Sequence, residues 1–315
     1  MKDKACYETA KTKSRRGDVL KRIKNDKLLY ILLLPSVVLV ILFSYLPMSG
    51  IKMAFQDYNV FVPSESTWVG LKNFKEIFTI QEFIGGIKHT VIISMLDILL
   101  CFPASIVFAL LLNEIKNTYF KRAIQTVSYL PHFISWISVI GIITTLYSQS
   151  GFVNDMLVAL TGGAHKRVSY LAEQWFFIPN VIILTMWKEI GWSSIVFLAA
   201  VTGIDQGLYE AATIDGASEL KKVWHVTLPG ILPTIMIMLL WRISALFSDN
   251  FDLIYGLQNP FVNVEVIGTI VYKNGIAGGN YQLSTAFGLM QGVVNLIFLL
   301  GANYLSNKTT DVGIF

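Results

Sequence analysis

Charged residues are scarce in this sequence. They make up 15% of its 315 residues, whereas 54% are hydrophobic, and soluble domains carry roughly a quarter charged residues. The mean hydropathy is +0.56. This deficit of charge indicates that lipid is the main solvent of the chain. A single bundle of membrane helices, each about 20 residues long, fits the length better than the two soluble domains that it would otherwise suggest.

Several chemical motifs are also missing. The two cysteines, Cys6 near the N-terminus and Cys101 inside an apolar run, would have to bridge across a membrane boundary, so we expect two free thiols. No two histidines have metal-ligand spacing, and we assign no metal and no catalytic residue. The sequence has no G-x-x-x-x-G-K-[ST] segment, so any ATP that drives this protein must be bound by another chain.

Six apolar runs are long enough to cross a bilayer as α-helices. They cover 28–48, 88–113, 124–147, 177–202, 231–252 and 283–305. The first is longer than the apolar core of a signal peptide and lacks a clear cleavage site, so we interpret it as a retained anchor. The period-two alternation of a membrane β-barrel is missing. The sequence therefore predicts an all-α, polytopic membrane protein with six transmembrane helices.

Basic residues are distributed unevenly around these spans. If both termini are inside the cell, sixteen of the 25 basic residues lie on inner segments and six on outer ones, and residues 1–27 alone hold ten. This bias predicts both termini in the cytoplasm. A basic tail directly before an apolar helix favours contact with anionic lipid over nucleic acid. The predicted plan is a basic tail 1–27, a membrane domain 28–305 and a cytoplasmic tail 306–315.

The predicted outer connections are long. They cover 49–87, 148–176 and 253–282. Long ordered loops often have a function. An extracellular docking surface and simple capping of helix ends both remain open on loop length alone.

The inner loop 203–230 has the pattern of a helix, a turn and a second short amphipathic helix. Asp205 is a predicted N-cap, and Gly216 can end the first helix in a left-handed turn. Pro229 and Pro233 are expected to begin the fifth span. On residue chemistry alone, the loop is either a knob that enters a cleft of another protein or an ordinary surface-lying loop.

A short motif in this loop favours the first interpretation. It consists of Glu210-Ala211-Ala212, then Asp215-Gly216-Ala217, then Leu228-Pro229 before the penultimate span. The motif resembles the EAA signature of permease subunits of ATP-binding-cassette importers. Three further segments resemble the carbohydrate-importing, maltose-type branch: Tyr45-Leu46-Pro47 to Ala54-Phe55, Asp57-Tyr58-Asn59, and Val69–Phe74. The long basic tail is most similar to the polysaccharide-importer permeases of Gram-positive bacteria in that branch.

The resemblance implies roles for the residues of the loop. It would be the coupling helix that docks in a groove of a cytoplasmic ATPase. Glu210 would pair with a basic residue of the ATPase, and Asp215 offers a second charge for such pairing. Ala211 and Ala212 would pack in the groove, and Gly216 would make the turn.

Six charged residues are predicted at membrane depth, where charges usually face a cavity or a partner. They are Asp97, Lys188, Glu189, Arg242, Asp249 and Asp252. Lys188 and Glu189 point about 100° apart on a helix, so we expect them to bond to different helices. Arg242 and Asp249 lie two turns apart on one face. These residues could pair structurally between helices or serve as ion sites.

The resemblance also implies a substrate path. Maltose-type permeases line their sugar cavity with aromatics in the helix before the EAA loop and with asparagines late in the next helix. Counted from Glu210, Trp187 and Trp192 fall at the aromatic positions and Asn250 at an asparagine position. Asp249 stands where the family has another polar group.

The leading hypothesis is therefore a non-catalytic permease subunit of an importer of oligosaccharides. Its implied partners are a second, different permease chain, two cytoplasmic ATPase subunits that bind ATP and Mg, and an extracellular solute-binding lipoprotein. The alternative is a stand-alone ion-coupled secondary transporter, which would explain the intramembrane carboxylates but not the EAA motif. A polytopic membrane enzyme lacks any recognisable nucleophile–base or metal constellation.

Overall fold

The structure, a computed structural model, describes residues 26–248, 250–310 and 313. It divides into two units, residues 1–53 and 54–315. The basic tail up to residue 25, with Cys6, and Asp249 lie outside the described residues. Cys101, the described cysteine, is free and buried.

Most of the described chain is helical. Five helices are long and apolar enough to cross a membrane: α1 (Lys27–Phe55), α3 (Phe83–Glu114), α7 (Gln174–Thr202), α9 (Glu219–Ser244) and α12 (Tyr281–Thr310). Two further helices, α4 (Thr118–Phe133) and α5 (Trp136–Leu146), form a sixth candidate span as a bent pair. The prediction of an all-α membrane protein with six spans is confirmed with one change, since the third span is broken.

Shorter elements connect these helices. The helices are α2 (Lys72–Ile77), α6 (Phe152–Leu160), α8 (Gln206–Ile214), α10 (Phe251–Leu257) and α11 (Ile267–Ile270), the last continued by a π-helical stretch Val271–Ala277. Two strands, β1 (Gln56–Asp57) and β2 (Thr67–Trp68), pair antiparallel, with Gln56 opposite Trp68 and Asp57 opposite Thr67. The Asn73 amide donates to the carbonyl oxygens of Ala54 and Gln56, both at 2.9 Å. These bonds fix the start of α2 to the chain that leaves α1.

The third predicted span, 124–147, is not one straight helix. Its two halves meet at an angle of 98°. The break follows a 3-10 turn, Leu130–Phe133, that contains Pro131. Proline lacks the N–H that a continuing helix needs. The second half starts afresh with a new cap, because the Ser135 hydroxyl accepts the Ser138 N–H at 3.2 Å.

The fifth membrane helix, α9, begins and ends earlier than the predicted span 231–252. The predicted second short helix of the inner loop is its first turns, so Pro229 and Pro233 lie inside α9 instead of beginning it. A π-helical turn, Val223–Thr227, directly precedes the segment with Pro229. It changes the backbone bonding pattern next to the residue that has no N–H to donate.

Segment 258–273, which follows α10 and includes α11, is held by a carboxylate. Glu265 accepts from Lys273 Nζ at 2.5 Å, from Thr269 Oγ1 at 2.5 Å and from Gln258 Nε2 at 3.1 Å. Burial by itself raises the pKa of Glu265, but these donors outweigh that effect, so the pKa lies below its ordinary value. Glu265 is therefore ionised at neutral pH and can hold three donors at once.

The helix α7 is central to the second unit. It packs against α3, where the rings of Phe102 and Phe197 meet edge to face with centroids 5.7 Å apart. It also packs very closely against α4. A Cβ added at Gly191 would lie 2.1 Å from the backbone oxygen of Ser128, so only glycine allows this approach. The close contact brings the broken span directly against the middle of α7.

The contact at Gly191 can be tested by adding one methyl group. We expect Gly191→Ala to lower the stability of the purified protein by about 1–3 kcal/mol, because the α4 and α7 backbones must separate. Thermal unfolding in detergent measures this. The matched control is Gly141→Ala in α5, where a Cβ meets nothing within 4 Å. Equal melting temperatures for the two variants would show that the close approach is wrong.

Candidate functional site: the EAA segment and the membrane cavity

The EAA segment, residues 205–217, folds as a capped helix and a left-handed turn. The Asp205 carboxylate accepts the Gly207 N–H at 2.9 Å and caps α8, as expected. Gly216 has φ +74°. The Gly216 N–H donates to the Thr213 oxygen at 3.1 Å and the Ala217 N–H to the Ala212 oxygen at 2.9 Å. This pair of bonds is the Schellman arrangement, which requires the left-handed residue that glycine supplies at low cost.

The residues assigned to the EAA contact are accessible within this chain. Glu210, Ala211 and Asp215 are exposed, and Ala212 is partly exposed. Several large apolar side chains nearby are also exposed: Leu208, Ile214, Leu220 and Trp224. Ile214 is 86% exposed. Exposed apolar groups that surround small residues are typical of a protein contact surface.

A cavity of about 450 Å³ lies between the middle parts of α3 and α7 and the C-terminal end of α9. Its walls carry hydroxyl, amide and charged groups: Ser94, Asp97, Thr185, Glu189, Arg242, Ser248 and Asn250. Apolar side chains, among them Ile93, Ile98 and Ile182, complete the lining. This combination of polar groups and apolar surface suits a polar organic solute.

An ion pair between α3 and α9 forms one wall of the cavity. Arg242 Nη1 donates to Asp97 Oδ2, and Arg242 Nη2 reaches Ser193 Oγ of α7 at 3.5 Å. The other oxygen, Asp97 Oδ1, is buried and has no hydrogen-bond partner among the described residues. Asp97 begins a π-helical turn, Asp97–Cys101, directly before the proline-containing start of the next helical stretch. Such turns often occur at functional sites.

Lys188 and Glu189 both bind the broken third span. The buried Lys188 ammonium donates to the carbonyl oxygens of Pro131 at 3.2 Å, His132 at 2.5 Å and Ile134 at 2.8 Å. The Glu189 carboxylate bonds to His132 Nδ1 at 2.9 Å. The expectation that these two residues bond to different helices is wrong. The reason is that the bend wraps one short turn around α7, so that side chains about 100° apart reach the same segment.

The predicted substrate-path residues do not share one cavity. Asn250 lines the cavity, but it lies between α9 and α10 instead of late in a helix. Trp187 lines a separate, mostly apolar pocket of about 460 Å³ between α4 and α7. Trp192 stacks on the His132 ring, with centroids 4.4 Å apart and the planes 1° apart. Asp249 lies outside the described residues.

Helical geometry explains which part of α7 faces the cavity. Ile182, Thr185 and Glu189 are spaced by three and four residues and share one face, whereas Trp187 is about 200° from Thr185. The sequence reasoning missed the hydroxyl groups and treated Asp97, Glu189 and Arg242 only as intramembrane charges. The four-residue spacing of Thr185 and Glu189 was the signal in the sequence that could have placed these two residues on one cavity-lining face.

Comparisons with known proteins identify the family of this chain. Residues 101–311 match the family described as binding-protein-dependent transport system inner membrane component. Protein LplB of Bacillus subtilis (strain 168) is 39% identical over 297 residues, which cover 93% of this chain and 92% of that protein. The chain belongs to this family.

Two further relatives agree with this membership. The polygalacturonan/rhamnogalacturonan transport system permease protein YteP of Bacillus subtilis (strain 168) is 38% identical over 96% of this chain and 95% of its own length. A chain in the crystal structure of a bacterial ABC transporter involved in the import of the acidic polysaccharide alginate is 38% identical. It superposes with a TM-score of 0.84, over 93% of this chain and 99% of that chain. The importer-permease hypothesis is confirmed, and the stand-alone secondary transporter is not supported.

In this importer permease, the Lys188 ammonium is expected to hold the bend of the third span. Lys188→Met would leave three carbonyl oxygens without a donor at membrane depth, so we expect a loss of about 3–5 kcal/mol. Lys188→Arg keeps the charge and should retain part of the stability. Yield and thermal unfolding of the purified protein in detergent measure both variants.

The control is Lys116→Met, which makes the same substitution at an exposed lysine. A Lys188→Met protein as stable as this control would contradict the role of Lys188.

Proposed function

We propose that this permease carries an oligosaccharide across the bacterial plasma membrane through the cavity between α3, α7 and α9, and that a separate ATPase drives it through the EAA segment. The observation that carries the proposal is the combination of an accessible Glu210-Ala211-Ala212 segment in α8 with a polar cavity in one importer-family chain. The cavity offers hydroxyl, amide and carboxylate groups, which match the hydroxyl groups of a sugar.

Glu210 and Gly216 have complementary roles in this proposal. The exposed Glu210 carboxylate pairs with a basic group of the ATPase, and Ala211 and Ala212 allow close approach in its groove. The left-handed residue Gly216 sets the direction in which the chain leaves α8. Asp215 adds a second negative charge at the same end. ATP and Mg are bound by the ATPase.

The complete transporter in this proposal has further chains. They are a second, different permease, two ATPase subunits and an extracellular solute-binding lipoprotein that delivers the sugar. One similar structure comes from an alginate transporter in complex with an alginate pentasaccharide-bound periplasmic protein, which supports such a partner. Both termini and the EAA segment lie on the cytoplasmic side, as the distribution of basic residues indicates.

The substrate remains a class of glycan. Relatives of 38% identity whose names or titles give a substrate are described for the transport of polygalacturonan and rhamnogalacturonan or for the import of alginate, which supports acidic oligosaccharides as the first probes. Relatives of 27–28% identity are named for arabinooligosaccharides and for trehalose and maltose. Arg242 is the basic side chain in the cavity wall, and its pairing with Asp97 leaves the remaining hydroxyl and amide groups to bind uncharged parts of a sugar. Glu189 lines the cavity and bonds to His132, whose ring stacks on Trp192, whereas Trp187 lines the separate pocket.

The test is to purify the complete complex with Glu210→Lys in this chain. Charge reversal at a docked carboxylate should lower the amount of retained ATPase at least about tenfold, since a buried charge pair across an interface is typically worth 2–5 kcal/mol. Uptake of labelled oligogalacturonide or alginate oligosaccharide into vesicles should fall in parallel, with maltopentaose as the neutral comparison.

The matched control is Glu76→Lys, which reverses an exposed carboxylate on α2, far along the chain from the EAA segment. It should leave the retained ATPase unchanged. Full uptake by the Glu210→Lys complex, or uptake driven by a proton gradient in vesicles that hold this chain alone, would overturn the proposal.

A further inference from the structure

One side-chain hydrogen bond joins the EAA helix to the fifth membrane helix. The Tyr209 hydroxyl lies 3.0 Å from Thr227 Oγ1. Tyr209 is partly buried, and Thr227 is 3% exposed. Tyr209 directly precedes Glu210 in α8, so that its ring turns towards α9 while the Glu210 carboxylate is exposed. Of the two adjacent residues in α8, Glu210 thus faces the partner of the proposed function and Tyr209 faces α9.

Thr227 lies at the end of the irregular first turns of α9. Thr227 is the last residue of the π-helical turn Val223–Thr227, and regular α-helix follows from Leu228. The backbone route from α8 into α9 runs through the turn at Gly216, the short stretch Glu219–Lys222 and the π-helical turn. Irregular helical turns of this kind are where helices bend. The Tyr209–Thr227 bond bypasses the turn at Gly216 and the stretch Glu219–Lys222, and it reaches the last residue of the π-helical turn, directly before the regular part of α9.

The start of α9 also packs closely against the chain that follows α7, one turn beyond Thr227. A Cβ added at Gly230 would lie 2.8 Å from Cδ1 of Ile204, at the end of α7. The helix then continues to Arg242, which forms the cavity wall with Asp97. From Thr227 to Arg242 the α-helical rise corresponds to about 22 Å. A displacement applied at Thr227 is therefore applied to a helix whose far end borders the cavity.

We propose that the Tyr209–Thr227 hydrogen bond is the contact through which movement of the EAA segment is passed to α9 and to the cavity. Tyr209 and Thr227 are positioning residues for transport: they touch neither nucleotide nor sugar, and they fix the angle between α8 and α9. The inference rests on the proposed function, since it needs an ATPase that moves the EAA segment.

The experiment uses the complete complex with its ATPase and second permease, so that no substrate has to be known. A cysteine is introduced by Ser248→Cys, at an exposed position in the cavity wall, in a Cys6→Ser, Cys101→Ser background. Its rate of modification by a methanethiosulfonate reagent is measured without nucleotide and with ATP and vanadate. ATP hydrolysis and the amount of retained ATPase are measured on the same samples.

We expect Tyr209→Phe and Thr227→Val to retain the ATPase and to hydrolyse ATP within about twofold of the unsubstituted complex. The nucleotide-dependent change in the modification rate should shrink by between about two- and tenfold, which corresponds to the net value of one hydrogen bond. The double variant should show the same reduced nucleotide-dependent change as either single variant, because the two substitutions remove the same bond. Thr227→Ser keeps the hydroxyl and should restore the response.

The matched control is Thr213→Val. It removes a hydroxyl from the same helix, but this hydroxyl donates to the Tyr209 backbone oxygen within α8, at 2.6 Å. An equal loss in Thr213→Val and Tyr209→Phe, or a full response in both Tyr209→Phe and Thr227→Val, would overturn the inference.

The result also separates the two proposals. If Glu210→Lys abolishes the response and Tyr209→Phe keeps it, the ATPase coupling stands and only the role of this bond fails. If the unsubstituted complex shows no nucleotide-dependent change and Glu210→Lys has no effect, the proposed function fails and this inference fails with it.

Discussion

The second unit depends on how the backbone carbonyl groups at the break in the third span find hydrogen-bond donors within the membrane. A helix that stops at membrane depth leaves carbonyl oxygens without donors, and each costs several kcal/mol in a hydrocarbon environment. The Lys188 ammonium supplies three hydrogen bonds to those oxygens from the neighbouring helix, and it also lies over the Trp136 ring, 5.2 Å from its centroid. A buried charge that would be costly alone is here matched to a backbone break that would be costly alone.

The contacts of Lys188 and Glu189 with the turn of the third span also position polar groups of the cavity. Because Lys188 and Glu189 hold one turn from both sides, His132 lies between the Glu189 carboxylate and the Trp192 ring. The face of α7 that remains, with Thr185 and Glu189, lines the cavity opposite the Arg242–Asp97 pair. The π-helical turn at Asp97 therefore borders the cavity directly, and the bend of the third span contacts one lining residue, Glu189. Backbone irregularity in a membrane is tolerated where protein or a polar cavity covers it.

The EAA segment and the cavity lie near opposite ends of α9. Glu219 begins this helix close to Gly216, and Arg242 is near its end. The family supplies the expectation that an ATPase acts at the first end, and the geometry gives a continuous element that joins it to the second. Thr227 lies where the irregular start of the helix becomes regular. A side-chain contact at this residue therefore transmits movement to the regular part of α9 more directly than a contact earlier in the helix.

The sequence by itself determined the membrane class, the number of candidate spans and the EAA turn. Hydrophobic length, the N-cap at Asp205 and the left-handed turn at Gly216 are local properties, because each depends on residues within a few positions of one another. The tertiary structure alone decided which charges meet and what lines the cavity. Asp97 and Arg242 lie 145 residues apart, and the bend at Pro131 redirects the partners of Lys188 and Glu189. Such pairings follow from how helices pack around a break, and helical periodicity within one span does not contain that information.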